Sequence, residues 1–259
     1  MKVSIITACY NSANTLEHTI QSVINQDYPQ IEYIVIDGAS TDGTQNIILK
    51  YQSSIAKTIS EPDRGMYDAM NKGIALATGD VIGILNSDDV YMNSHVVTDL
   101  MAQMQKARAD VVFADLILVD ENNPEHILRY YDSGQFHPSR FQYGWMPAHP
   151  TVFVKKRIYD EVGLFKTNYQ IAADYEMLIR ILAVNKASYT YLPKPVVRMR
   201  AGGASTAGLS RNWILNTEIV RACKENGIYS NMAMLLLKIP TKLWGRIAAR
   251  SIHQKSLGK

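Results

Sequence analysis

An α/β fold on a mostly parallel sheet with flanking helices is what this 259-residue sequence predicts, and three observations carry it. Strand-like and helix-like patterns alternate at short intervals through the first half, as crossover connections require. The strand-like runs are apolar and β-branched, as buried strands are. Acidic residues recur where those runs stop, and in such sheets ligands bind outside the carboxyl ends of the strands.

The elements follow in order. VSIITACY, from Val3, is a buried-strand run, and Ala13 to Gln26 has helical spacing through Leu16, Ile20, Val23 and Ile24, with Asn11, Ser12 or Asn14 as its cap. IEYIVIDG is a second strand, ending at Asp37, and Thr44 to Tyr51 a second helix. Gly65 to Thr78 carries Met66, Met70, Ile74 and Ala77 at helical spacing, and Gly79 closes it. DVIGILNSDD is the strand that delivers Asp88 and Asp89. The second half is less regular. Val111 to Val119 reads as a strand, Asn122 to Gly144 as a polar and aromatic segment, and Thr151 to Val154 as a short strand. Asp174 to Asn185 reads as a helix, and Tyr189 to Met199 as an extended run into the glycine loop AGGAST. The expected division is a domain over 1–210 and a helical, basic extension over 211–259.

Composition fits one globular core: 47% of residues are hydrophobic and 20% charged. Cys9 and Cys223 lie far apart in sequence and suggest no disulfide framework, so a reducing cytoplasm is expected. The N-terminus reads as a strand rather than a signal peptide, and no apolar stretch reaches the roughly 18 residues of a membrane span. The net charge of +3 belongs to the tail. From Asn226 to Lys259 there is no acidic residue, while Lys238, Lys242, Arg246, Arg250, Lys255 and Lys259 are basic.

Four acidic positions carry the chemistry. Asp37, at a strand end before Gly38, can accept from the N–H groups of uracil or guanine and so read a base; the alternative is a turn cap, as for Asp42. Thr7, Tyr10 and Asn11 leave the neighbouring strand and favour base reading, with Tyr10 as stacking surface. Asp88 and Asp89 repel one another unless a cation sits between them. A hard divalent ion there would bridge the oxygens of a sugar-nucleotide diphosphate; the alternative is a turn or helix cap. Asp174 opens a helix and is either its cap or a lone general base, with Glu176 as the competing carboxylate. No zinc-type spacing, P-loop, dinucleotide fingerprint or nucleophile-elbow motif is present.

From Val3 to about Ser205 the order of these landmarks resembles the inverting glycosyltransferases of family 2, bacterial surface-polysaccharide type. The carrying motifs are SIITACYN, IDGASTDGT, EPDRGMYDAMNKGI, NSDD and AADYEML. The resemblance implies the GT-A, or nucleotide-diphospho-sugar transferase, fold and a UDP- or GDP-sugar donor. It implies Thr7, Tyr10 and Asn11 around the base and ribose, Asp37 on the base, and Asp63 and Arg64 beside the nucleotide. Asp89 is the implied ligand of Mn²⁺ or Mg²⁺, Asp88 a ribose or metal contact, and Asp174 the catalytic base. His149, in WMPAHPTVF, is implied near the metal or diphosphate, although a lone histidine is as often structural. No QxxRW-type motif follows Asp174, which argues for addition of one sugar rather than a polymer.

The tail has a second expectation. Lys238, Lys242, Arg246 and Arg250 recur every four residues beside Ile239, Leu243, Trp244 and Ile247, the composition of a helix lying on an anionic membrane. The expected partner is therefore a lipid-linked glycan acceptor, polyprenyl-diphosphate-linked, at the inner face of the cytoplasmic membrane. A helix packed on the domain or pairing two subunits in a homo-oligomer is the alternative, and nucleic acid is not expected. A sugar nucleotidyltransferase would open with a basic, Gly-rich loop, which ACYNSAN is not. A non-catalytic binding or scaffold protein would have no need of Asp174.

Overall fold

The computed structural model describes residues 1–121, 123–202 and 208–237. Nine strands form one sheet: β1 (Val3–Cys9), β2 (Ile31–Asp37), β3 (Lys57–Ser60), β4 (Val81–Ile84), β5 (Val90–Tyr91), β6 (Val111–Val119), β7 (Ile127–Tyr131), β8 (Phe153–Lys155) and β9 (Tyr189–Arg200). Their order is β3-β2-β1-β4-β8-β6-β9-β5, with β7 on β6. The half made of β3, β2, β1 and β4 is parallel throughout. Its crossovers are α1 (Leu16–Ile24), α2 (Thr44–Lys50) and α3 (Met66–Leu76).

The other half is mixed, and the short β6–β7 link forces an antiparallel pair. β6 and β7 form an antiparallel hairpin, β8 runs antiparallel to both β4 and β6, and only β6 and β9 are parallel. The register of β9 against β6 shifts beside Pro195, in a stretch that also holds Pro193. Proline lacks the N–H that a ladder needs, so the extra residues bulge out.

Helices cover both faces. Ile5, Val35 and Val81 pack with Leu16, Ile20 and the buried face of α4 (Val96–Ala107), a helix that the sequence analysis leaves unassigned. Ile6, Ile34, Ile36 and Ile82 pack on the other face with Met70 and Ile74 of α3. There α3 lies so close to β1 that a Cβ on Gly73 would stand 2.4 Å from Ile6 Cγ2.

After α5 (Lys156–Val162), α6 (Ala173–Ile179) runs into a π turn over Arg180–Val184, and together they account for the expected helix at Asp174 to Asn185. α7 (Gly208–Glu225) and α8 (Met232–Leu236) follow. Ile219, Ala222, Cys223 and Leu235 are buried in the same core as α6, so the chain as far as Leu235 packs with the main unit. Both cysteines are buried free thiols. Of the GGAS loop, residues 203–205 lie outside the described residues, as does the basic segment 238–259.

Candidate functional site

The strands β1, β2, β3 and β4 end on one rim, and the turns that follow wall a cleft of about 1640 Å³. Tyr10 and Asn11 follow β1 and line it, Tyr10 with two thirds of its surface exposed. Two non-glycine residues there take left-handed backbone, Asn11 at φ 48° and Ala39 at φ 61°, a conformation that persists where surroundings hold it. The holding contacts run between the turns: Asn11 N–H donates to Ser40 Oγ at 2.8 Å, and Thr41 N–H to Asn11 Oδ1 at 3.0 Å.

Three residues expected at the donor, Thr7, Asp37 and Arg64, do not line the cleft in this structure. Asp37 is fully buried and does not line the cleft; its carboxylate accepts from Ser60 Oγ at 2.6 Å, from Ser40 N–H and Oγ, and from Gln45 Nε2. It fixes the β2 turn to β3. Thr7 is a core hydroxyl that accepts from Tyr33 Oη at 3.2 Å. Arg64 points to solvent, 83% exposed, and pairs with Asp68.

Asp63 does line the cleft. Its Oδ1 accepts from Lys72 Nζ, and a Cβ on Gly38 would sit 3.1 Å from its Oδ2 and 3.2 Å from Tyr10 Cδ2. A glycine at 38 therefore leaves a slot between Tyr10 and a carboxylate oxygen.

The acidic pair follows β4 and is split by burial. Asp88 lines the cleft beside Asn86 and Ser87, whereas Asp89 is buried beneath it. Asn86 Nδ2 donates to Asp89 Oδ2 at 2.9 Å, while Asp89 Oδ1 is buried with no hydrogen-bond partner. Burial raises the proton affinity of both carboxyls. For Asp89 the charge of Asp88 raises it further, and for Asp88 the charge of Arg200 opposes. An orphaned buried oxygen beside a second carboxylate fits a hard divalent cation, although the described residues form no cluster of three or more acidic, His or Cys ligands.

Asp174, in the first turn of α6, lines the same cleft, as does His149 from the turn before β8. Tyr175 N–H donates to Asp174 Oδ1 at 2.8 Å. Burial raises the Asp174 carboxyl and His149 opposes it; burial lowers the His149 imidazole and Asp174 opposes that. The His149 ring packs edge-on to Phe165. Glu176 is fully buried and neutralised by Arg180 at 2.9 Å and Lys166 at 2.8 Å, so it is a structural ion pair.

The family profile described as Glycosyl transferase family 2 matches residues 4–161. This chain belongs to glycosyltransferase family 2. A PGL/p-HBAD biosynthesis glycosyltransferase of Mycobacterium bovis is 25% identical to it over 258 residues, 98% of this chain and 95% of the relative. An uncharacterized glycosyltransferase of Mycobacterium tuberculosis is 32% identical over 184 residues, 70% of this chain and 69% of the relative.

Among solved structures, the mannosyltransferase PcManGT from Pyrobaculum calidifontis, in complex with GDP-Man and Mn²⁺, superposes with TM-score 0.62 at 18% identity, covering 98% of this chain and 87% of that one. S. aureus TarS 1–349 in complex with UDP gives TM-score 0.62 at 19% identity, covering 86% and 65%; this chain spans 39% of the longer TarS chain. The fold is GT-A, and the protein is a glycosyltransferase.

In this family 2 glycosyltransferase the cleft extends past Asp174 over the second half of the sheet. Arg129, Leu118 and Met199 are paired across β7, β6 and β9 and all line it. Tyr131, Trp145 and Met146 continue that wall, with the rings of Tyr131 and Trp145 6.1 Å apart. None of these six is expected at the site from sequence alone. Alternation along β6 and β7 marks Leu118 and Arg129 as sharing a face, but only the register shows which face is the cleft.

Proposed function

We propose that this protein is a metal-dependent, inverting glycosyltransferase of hexosyltransferase type that adds one sugar from a UDP- or GDP-sugar to a lipid-linked glycan acceptor in cell-surface polysaccharide synthesis. The observation that carries the reading is that Asp88 and Asp174 line one cleft while Glu176 is neutralised elsewhere. Asp174 takes the proton from the acceptor hydroxyl. The acceptor oxygen then bonds the anomeric carbon as the bond to the diphosphate breaks on the opposite face, which inverts the centre. Mn²⁺ or Mg²⁺ held by Asp88 and by Asp89 Oδ1 would supply the positive charge that a departing diphosphate needs.

Tyr10 gives the base a stacking face, and Asp63 Oδ2, across the slot above Gly38, is placed to accept from the base N–H alongside the expected Asp37. Asp63→Asn is expected to weaken UDP or GDP binding roughly ten- to hundred-fold in calorimetry, the range for losing a hydrogen bond to a charged group. Unchanged affinity would leave base reading to Asp37. The turnover reading itself is tested by a donor screen for UDP or GDP release with and without EDTA. No release from any donor would leave a binding protein.

The row Arg129, Leu118 and Met199 supports an acceptor with apolar and anionic parts, as a polyprenyl-diphosphate-linked glycan has. No helix among the described residues is long and apolar enough to cross a membrane. The basic tail supplies attachment in this reading, placing the enzyme peripherally at the cytoplasmic face. A Lys or Arg near anionic lipid contributes about 1 kcal/mol. Leu235 is buried in the core, so the informative truncation follows Leu237. It should abolish sedimentation with anionic liposomes and spare donor hydrolysis; equal sedimentation would favour a tail that packs or dimerises.

A further inference from the structure

We propose that Glu218 is the positioning residue of the catalytic base, its carboxylate clasping the backbone that leads into Asp174 and thereby setting where that side chain stands. The inference rests on the assignment of Asp174 as base. Its geometry is independent of that assignment.

α6 begins without a side-chain cap: its N-cap is Ala172, a poor capping residue. The donors just ahead of the helix go to Glu218 instead. Gln170 N–H donates to Glu218 Oε1 at 2.6 Å, and Ile171 and Ala172 N–H both donate to Oε2 at 2.9 Å. Bonds to an ionised acceptor are roughly twice as strong as neutral ones. The opposite side of the same backbone is also tied, since Tyr67 Oη donates to the Ile171 carbonyl. Two residues before Asp174, then, the main chain is held from α7 and from α3.

Glu218 is buried, and its helix lies in the segment that the sequence analysis assigns to an appendage. The other contacts of α7 do not need it. Glu225 accepts from Lys166 at 2.9 Å and Tyr169 at 3.0 Å, the Arg221 guanidinium lies 4.3 Å over the Tyr169 ring, and Asn226, just past the helix, donates to Glu176. α7 can therefore stay docked when the clasp is removed, which makes the clasp separable from the fold.

Glu218→Gln keeps the volume but leaves one acceptor oxygen where two serve three donors. Glu225→Gln is the control, weakening the seat of α7 without touching residues 170–172. Hydrogen exchange of the peptide 168–176 should quicken roughly ten-fold in the first variant and little in the second. With a donor that the wild type consumes, kcat should fall at least about ten-fold in Glu218→Gln, since misplacing a catalytic group by about 1 Å costs on the order of 10²-fold. The Kd for UDP or GDP with Mn²⁺ should stay within about two-fold.

The charge of Glu218 gives a further readout in the pH profile. The charged or titratable groups facing Asp174 are His149, Glu218, Tyr67 and Tyr131. Of these Glu218 is the anion that disfavours ionised Asp174, so its neutralisation should shift the acid limb of kcat/KM to lower pH. Equal exchange in the two variants, or equal kcat losses, would overturn the proposal. A wild type with no turnover would sink the transferase reading instead, and the exchange comparison would still decide the clasp.

Discussion

Asp174→Asn is expected to lower kcat by roughly 10²- to 10⁴-fold, the range for loss of general-base help, while UDP or GDP affinity stays within about two-fold. Asn keeps the size and the acceptor for Tyr175 N–H, so the first turn of α6 survives and only the proton acceptor is lost. The pH dependence has a definite sign. Burial holds the Asp174 carboxyl above its ordinary value of 3.8, with His149 opposing, and only the ionised form can take a proton. Activity should therefore fall on acidification through a pKa above 3.8, and the residual rate of Asp174→Asn should lack that limb. Lost nucleotide binding in this variant would make Asp174 a donor-site or structural residue.

Glu176→Gln separates the two carboxylates. It breaks a buried pair with Arg180 and Lys166, and such breaks cost about 3–5 kcal/mol. The expected result is a lowered Tm with kcat per folded molecule nearly unchanged. A kcat loss matching that of Asp174→Asn would reverse the assignment.

Three strands of the parallel half were legible because their signal is local: the runs ending at Cys9, Asp37 and Ile84 are apolar and β-branched, whereas the short β3, half-exposed over Lys57–Ser60, was left unassigned. Position in the chain also marked Asp88 and Asp174 for the cleft. Side-chain direction was not legible. Asp37 ends a strand as expected, but its carboxylate turns inward to Ser40 and Ser60, and no spacing rule distinguishes an inward from an outward strand-end side chain. The same limit applies to neighbours: Asp88 and Asp89 are adjacent in sequence, yet one faces the cleft and the other is buried. α4 had a readable pattern in Val97, Leu100, Met101 and Met104. Glu218 had none, because its partners are backbone atoms 46 to 48 residues away.

Asp88→Ala and Asp89→Asn are each expected to abolish the Mn²⁺-dependent part of UDP or GDP binding in calorimetry, and with it turnover. The physical reason is the orphaned Oδ1 of Asp89 beside the Asp88 carboxylate: a cation between them would satisfy that oxygen and relieve the repulsion of the pair. The same reasoning gives a readout that does not depend on catalysis. In the absence of metal two adjacent, desolvated carboxylates repel, so neutralising either should raise the Tm of the metal-free protein, by about 2–4 °C for each kcal/mol relieved in a chain of this size. It should also remove the further rise that Mn²⁺ with nucleotide gives the wild type, because stabilisation by a ligand requires its site. Gain of metal-free stability together with loss of metal response is the signature of carboxylates kept for a cation at a cost to the fold. Full turnover in excess EDTA, or an unchanged Mn²⁺ response in both variants, would leave Asp88 as a ribose contact and Asp89 as a turn residue, and would remove the metal from the mechanism.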